Sequence, residues 1–375
     1  MKIIVNRERF SGGLQQLTNI VLLRPALAIL GGILIEVADD HLTMTTTNGD
    51  CSICCTVAAS VVGGGKIVVN VRKLASIVRA LSCHDVEIEF SSSGGKQLKI
   101  SGGGSVFHLP TIAADEFPSI PAMDIAAAIR LNPSLLLSLI RRISYAQSTD
   151  EHRQILNGVY FSFANGRLTL VATDGRRLAL THQEVSDGEG KFIVPGCAIS
   201  ELERLLSGGK EVAIAFNARQ ASFYVDYGSD ATSLKPVGVH MICKVIEGTF
   251  PNYEQVIPAT TESRIQISRE LFCEAIQRVA LVAGGMNPCI RLRFSENLLE
   301  LSASSTEYGE AYERMALRYG AEQATEISFN PRYLAEPLRS LDVDEIAFEF
   351  RDQWNASVIR HCDNFLCVVM PLRVG

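Results

Sequence analysis

Ile33-Leu34-Ile35-Glu36-Val37 running on to Leu42-Thr43-Met44-Thr45 is the stretch that decides the fold, because the chain writes it three times. Apolar and other side chains alternate along both halves, and a short polar break separates them, the pattern of a β-hairpin with one face buried. The pattern returns as Val159-Tyr160-Phe161-Ser162-Phe163 to Leu168-Thr169-Leu170-Val171, and as Ile290-Arg291-Leu292-Arg293-Phe294 to Leu299-Glu300-Leu301-Ser302. Ahead of each hairpin a strand pattern leads into a helix start: Lys2-Ile3-Ile4-Val5-Asn6, Ala128-Ile129-Arg130-Leu131-Asn132 and Arg264-Ile265-Gln266-Ile267-Ser268. Asn6 to Asn132 and Leu42 to Leu168 are each 126 residues; Leu168 to Leu299 is 131 and Asn132 to Ser268 is 136. Solenoid units repeat at roughly 20–50 residues, so a unit this long is a whole domain.

Each copy predicts two helices and several strands. The first helices start at Arg7, Pro133 and Arg269. In the first copy Phe10, Leu14, Leu17 and Val21 share a face, which predicts a helix from Arg7 to Val21; Asn132 and Ser268 stand as N-caps of the other two. The second helices are expected over Val71 to Leu81, Ala198 to Leu206 and Pro331 to Leu341, with Asn70 and Asn330 as caps. Pro337 inside the last of these lacks a backbone donor and should kink or shorten it. Period-two strands follow directly: Val86–Phe90, Val212–Phe216 and Ile346–Phe350. Gly-rich loops stand at Gly94-Gly95 and Gly102-Gly103-Gly104. Pro-bracketed joints, Phe117-Pro118-Ser119-Ile120-Pro121 and Phe250-Pro251 through Pro258, read as stiff and extended. The expectation is an α+β protein of three domains: 1–122, 123–256 and 257–375.

With 47% hydrophobic and 20% charged residues, the 375-residue chain has ample material for cores. It holds no apolar run of about 18 residues to span a bilayer. The start turns polar too soon for a signal peptide, so the expected location is the cytoplasm. Ten cysteines include one C-x-x-C at Cys51 and Cys54, beside Cys55, without a second pair or paired histidines, so buried reduced thiols are favoured over zinc. No metal or cofactor is expected. A net charge of −6 argues against holding nucleic acid by general electrostatics.

No phosphate loop, zinc helix or nucleophile elbow is present. Asp174 in Thr173-Asp174-Gly175-Arg176-Arg177-Leu178 looks most like a catalytic carboxylate, but Asp-Gly also makes a hairpin turn and no second acid or base accompanies it. A non-enzyme is expected, with a hydrolase using Asp174 as an alternative. Arg7, Arg72, Lys73, Arg79, Arg141, Arg142, Arg204, Arg269, Arg278, Arg332 and Arg339 put a cation on every predicted helix. Were those helices to share a side, an acidic protein would present one basic surface.

Taken with Val171 to Ala179, Phe250-Pro251-Asn252-Tyr253 with Val256 and Pro258, and Val368-Val369-Met370-Pro371-Leu372-Arg373, the whole chain resembles the bacterial DNA polymerase III sliding clamp, the beta subunit. Leu156-Asn157-Gly158, Arg24-Pro25 and Ala113 to Pro118 add to the likeness. The resemblance implies three tandem DNA-clamp domains, helices packed on antiparallel sheets, that form half of a closed ring. A head-to-tail homodimer would surround double-stranded DNA without gripping it, which reconciles the acidic charge. Matching residues imply DNA contacts at Arg24, Arg72, Lys73, Arg79, Arg141 and Arg142. Gly196-Cys197 and Asp150 depart from the family pattern, where basic residues and a glutamine are common. A partner-peptide pocket is implied at Leu156, Thr173, Gly175, Arg176, Arg177, Leu178, Pro251, Val256, Val368, Val369, Met370, Pro371 and Leu372, edged by Asn330, Tyr333 and Arg373. Gln255 and Val374-Gly375 differ at its rim. The dimer contact is implied at Phe107 and Leu109 on one side, Leu281 and Val282 on the other. Expected partners are DNA, a second copy, the replicative polymerase, a clamp loader and other peptide-bearing proteins, with no membrane. A specialised relative that binds peptides without encircling DNA is the other alternative.

Overall fold

The computed structural model describes residues 2–38, 40–90, 97–120, 123, 128–186, 188–228, 237–285, 287–320 and 324–373. Gly94-Gly95 and Val374-Gly375 lie outside these. In chain order the first third holds β1 (Lys2–Asn6), α1 (Arg7–Leu17), β2 (Gly32–Ala38), β3 (His41–Thr47), β4 (Cys51–Ala58), β5 (Ser60–Val62), β6 (Gly65–Asn70), α2 (Val71–Ala80), β7 (Asp85–Phe90), β8 (Gln97–Gly102) and β9 (Ser105–Ile112). The middle third holds β10 (Ile129–Leu131), α3 (Pro133–Ile143), β11 (Gly158–Ala164), β12 (Arg167–Thr173), β13 (Arg177–Glu184), β14 (Gly190–Pro195), α4 (Gly196–Leu206), β15 (Glu211–Phe216), β16 (Gln220–Asp226) and β17 (Gly238–Lys244). The last third holds β18 (Ser263–Ser268), α5 (Arg269–Ala280), β19 (Ile290–Ser295), β20 (Leu298–Ser305), β21 (Gly309–Ala316), β22 (Thr325–Phe329), α6 (Pro331–Ser340), β23 (Glu345–Phe350), β24 (Ser357–His361) and β25 (Phe365–Val369). Apart from β5, each third repeats one order of elements.

The chain divides into two compact units: Met1–Leu137 with Cys197–Val245, and Ser138–Gly196 with Ile246–Gly375. In the first unit thirteen strands form one sheet in the order β10-β15-β16-β17-β4-β3-β2-β6-β9-β8-β7-β1-β5. The second unit has an eight-stranded sheet, β14-β11-β12-β13-β25-β24-β23-β18, and a four-stranded one, β21-β20-β19-β22. Every pairing among the described strands is antiparallel.

Helix burial follows the sequence spacing. Phe10, Leu14 and Leu17 of α1 are buried, and Gly13 lets the helix lie close on the sheet: a Cβ there would stand 2.6 Å from Met44 Cε. In the second unit Phe272, Ala275, Ile276 and Val279 of α5 and Leu334, Ala335 and Leu338 of α6 are buried. They cover a ring cluster in which Phe294 and Phe350 lie 4.4 Å apart between centroids. Each of the larger buried side chains, the two alanines apart, contributes about 1.5–3 kcal/mol.

Asn70, Asn132 and Asn330 cap their helices as expected, accepting from Lys73, Ser134 and Arg332 backbone N–H groups at 3.0, 2.8 and 3.0 Å. Ser268 does not. Its side chain makes no cap bond, and the Asp344 carbonyl instead accepts from the Arg269 N–H at 2.9 Å. Helix α1 stops at Leu17 rather than Val21, with Thr18 as its C-cap: the Thr18 N–H still donates to the Leu14 carbonyl at 3.1 Å and its hydroxyl donates to the Gln15 carbonyl. Val21 is still buried. Pro337 does not shorten α6, which runs on to Ser340 with the proline ring buried.

Candidate functional site

The strand after each of the first two hairpins, β4 or β13, enters a seam with the last strand of the following copy, and the two seams share one register. In the second unit β13 pairs with β25, setting Arg177 opposite Val369, Leu178 opposite Val368 and Leu180 opposite Leu366. In the first unit β4 pairs with β17, setting Cys51 opposite Cys243, Ser52 opposite Ile242 and Cys54 opposite His240. Each residue of one seam is 126 positions from its counterpart in the other. The turns that feed the seams match as well. Asn48 Oδ1 accepts from the N–H of Asp50 and Cys51, and Asp174 Oδ1 from the N–H of Arg176 and Arg177. Gly49 and Gly175 take positive φ, +97° and +83°, which glycine alone adopts at little cost. Asp174 is therefore a turn residue. Its other oxygen accepts from Arg177 Nε at 3.2 Å, so both oxygens are engaged.

Successive strand residues face opposite sides of a sheet. On one side of the β13–β25 seam Val171, Leu178, Leu180, Val368 and Phe250 form an apolar cluster, with Leu156, Tyr160 and Tyr253 packed on it. Tyr160 stacks on Phe250 with centroids 4.9 Å apart. On the other side Arg177, only 4% exposed, lies with its guanidinium 5.3 Å from the Tyr145 ring centre and 4.7 Å from that of Tyr333. It donates to the Tyr145 carbonyl at 2.6 Å and pairs with Glu336 and Asp174. A buried guanidinium needs this many partners to offset its lost hydration. Arg177 and Tyr333 also border a polar cleft of about 560 Å³ with Arg153, Asp174, Arg176 and Arg332.

The expected pocket residues thus fall into groups. Leu156, Leu178 and Val368 belong to the apolar cluster; Val256 and Met370 are exposed, at 47% and 39%. Pro251 is exposed and Pro371 and Leu372 are half-buried. Arg176, Arg177 and Tyr333 line the cleft. Thr173 is buried in the turn, where its hydroxyl donates to the Arg177 carbonyl, and Gly175 is exposed. Val369 is fully buried and, by alternation, faces the side of Arg177. Asn330 is spent on its cap, while Arg373 is exposed. Sequence reasoning missed Tyr145, Arg153 and Glu336, none of which sits in a recognisable motif, and took Arg332 only as a helix cation.

The cysteines of the C-x-x-C lie in strand β4, so Cys51 and Cys54 face opposite sides and cannot close on one metal ion. Burial pushes the thiols of Cys51, Cys54, Cys55 and Cys243 up.

Three models of one family match the chain in succession: the DNA polymerase III beta subunit N-terminal domain over residues 1–121, its central domain over 130–252 and its C-terminal domain over 254–373. The chain belongs to the DNA polymerase III beta subunit family. The beta sliding clamp of Caulobacter vibrioides is 30% identical, covering 100% of both chains. That of Chlamydia trachomatis is 29% identical over 100% of this chain and 87% of its own length. Among solved structures, the DNA polymerase III beta subunit of Pseudomonas aeruginosa matches all of both chains with a TM-score of 0.91 at 29% identity. As a member of this family the chain is a sliding clamp, a non-catalytic processivity factor of DNA polymerase III built from three tandem clamp domains. No described helix is long and apolar enough to cross a membrane.

The clamp's helix cations are not one class. Arg7, Arg204 and Arg269 turn inward and donate to the carbonyls of Cys83, Gln16 and Val343. Arg278 and Arg332 pair with Glu313 and Glu336, each at 2.6 Å. Every helix does carry a cation, as expected, but carbonyls and carboxylates engage several of them. Arg24, Lys73, Arg79 and Arg141 are exposed, as is Arg72, which also reaches the Val21 carbonyl at 2.6 Å; Arg142 is half-buried.

Proposed function

We propose that this clamp closes head to tail with a second copy into a ring around duplex DNA, and that the three copies 1–122, 123–256 and 257–375 are its wedges. The observation that carries the reading is a strand pairing used twice and left open once. The third hairpin strand of copy one, β4, pairs with the last strand of copy two, β17; β13 of copy two pairs with β25 of copy three. The remaining counterparts, β21 of copy three and β9 of copy one, each have a side that pairs with no strand, or only at its end, among the described residues. β21 ends its sheet, and β9 meets β6 only at Thr111 and Ile112, so the far side of Ser105–Pro110 is unpaired among the described residues. Two complementary open edges on one chain would otherwise invite uncontrolled pairing, and a head-to-tail contact that closes satisfies both.

Transferring the register gives the ladder. Ser101 pairs with Val106 where Tyr224 pairs with His240, and Leu301 pairs with Glu313 where Leu170 pairs with Thr181. Val106 therefore takes the place of His240, and Tyr312 that of Cys54. Phe107 of one copy faces Ala311 of the next, and His108 faces Glu310. Phe107 and the 81%-exposed Leu281 supply apolar contact beside the ladder, with Leu109 and Val282 next to them.

A ring holds DNA by topology, so Arg24, Arg72, Lys73, Arg79, Arg141 and Arg142 have only to offset phosphate charge through loose contacts. The apolar cluster near Val256 and Met370, with the Arg176 cleft beside it, suits a short partner peptide with apolar anchors and polar flanks. Polymerase, clamp loader and repair proteins would dock there, in the cytoplasm on the nucleoid. Loading the clamp onto a nicked circular plasmid and then linearising it tests the reading. Retention on circles and loss from free ends is expected; equal retention on both contradicts it.

A further inference from the structure

The first unit carries a cavity of about 630 Å³ on the β4–β17 seam. Leu34, Thr45, Cys54, His240 and Ile242 line it. Each stands 126 residues before Tyr160, Val171, Leu180, Leu366 and Val368, the apolar cluster of the other seam. Phe117, 8% exposed and followed by Pro118, takes the part of Phe250-Pro251. In the second unit Tyr160 stacks on Phe250 and Tyr253 leans on Tyr160 at 6.1 Å, so the chain's own rings fill the space. In the first unit those two positions are Leu34 and Ile120, and Leu180 is replaced by the smaller Cys54. Two aromatic side chains and one leucine are thus replaced by smaller residues over an intact sheet frame. Among the described lining residues the acids outnumber the cations: Glu36 and Asp115 stand against Lys66, which is paired to Glu36. His240 adds no charge at neutral pH, since burial lowers its pKa, and its Nε2 lies 2.6 Å from Ser222 Oγ.

We propose that this cavity is a second docking site, taking an extended segment of a partner protein that presents an aromatic side chain with a cationic group beside it. The ring would occupy the volume that Tyr160 fills in the other seam, and the cation would meet Glu36 and Asp115. The site is separate from whatever docks on the second unit, and its test reads the first unit alone.

Cys54 supplies the probe, being half-buried in the cavity wall. The full chain carrying Cys197→Ser and Cys362→Ser, which removes two exposed thiols, is equilibrated with mixed disulfides under 2-mercaptoethanol. The disulfides carry a phenyl ring with an ammonium, a phenyl ring with a carboxylate, or a methyl group with an ammonium. In each exchange the Cys54 thiolate displaces a small thiol, and peptide mapping measures the adduct. The phenyl-ammonium fragment should be retained at Cys54 about tenfold over the other two, a difference of about 1.4 kcal/mol. Leu34→Tyr, which installs the ring of the other seam, should lower phenyl retention to the level of methyl. Glu36→Gln at the rim, checked for an unchanged thermal transition, should keep the preference for phenyl and erase that for ammonium. Equal retention of all three fragments, or Leu34→Tyr leaving phenyl retention unchanged in folded protein, overturns the proposal.

Discussion

The β4–β17 seam of the first unit and the β13–β25 seam of the second share a register to the residue and a turn to the hydrogen bond, yet they hold different chemistry. At one ladder position the second seam carries Arg177 and the first carries Cys51; at another, Leu180 answers Cys54. The backbone frame comes from strand alternation and a polar turn residue, Asn48 or Asp174, and tolerates wide changes in side chain. The sites come from what those changes leave: a buried ion network and a ring-filled cluster on one seam, an open cavity with an acidic rim on the other.

The comparison breaks most sharply at Arg177. Arg177→Ala leaves Glu336 paired only with Arg332, frees an oxygen of Asp174 and removes the packing between Tyr145 and Tyr333, and should cost about 3–5 kcal/mol in urea unfolding. Cys51→Ala at the equivalent position should cost about 1 kcal/mol. Equal costs would mean the two seams do not differ energetically. Exchanging residues comes next. Leu180→Cys with Leu366→His should cost the second unit about 2–4 kcal/mol through lost packing and a buried imidazole. Cys54→Leu with His240→Leu should stay within about 1 kcal/mol, because the cavity admits the added volume. A smaller effect separates the turns: Asn48→Ala should cost about 1 kcal/mol, and Asp174→Ala more, since Asp174 also holds Arg177.

The smallest effect is in pH. Burial lowers the folded-state pKa of His240 below its ordinary 6.5. The unfolded chain then binds the proton first as pH falls, so this contribution is intact above pH 6.5 and is lost below it, down to the folded pKa. His240→Leu, which copies Leu366, should flatten thermal stability between pH 7 and the acid side of that window. An unchanged slope would remove His240 from the account.

Much of the frame was legible in the sequence. Period-two runs, asparagine caps and the repeat spacing reported strands, helices and three copies, because each depends on local geometry. The C-x-x-C was read as buried thiols from its lack of partner ligands, and its place on a strand, where alternation parts Cys51 from Cys54, adds a geometric reason. Arg177 was legible as a pocket residue by resemblance, but not as a buried ion: Tyr145, Tyr333 and Glu336 come from distant parts of the chain. The inward turn of Arg204 onto Gln16 likewise depends on contacts across 188 residues. A helical arginine reads the same from sequence whether it meets water or a carbonyl.

The central claim is that the seam used twice within the chain is used a third time between chains. Phe107→Cys with Ala311→Cys, in a chain carrying Cys197→Ser and Cys362→Ser, puts two thiols at facing positions of the transferred ladder. The pair is a non-hydrogen-bonded one, because Met370 N–H bonds the Arg176 carbonyl at 3.0 Å in the seam it copies, and alternate positions follow. Mild oxidation should give a covalent dimer on a non-reducing gel, and Val106→Cys with Ala311→Cys, one residue out of register, should give little. A dimer that forms equally well from both pairs, or from neither, would contradict the account.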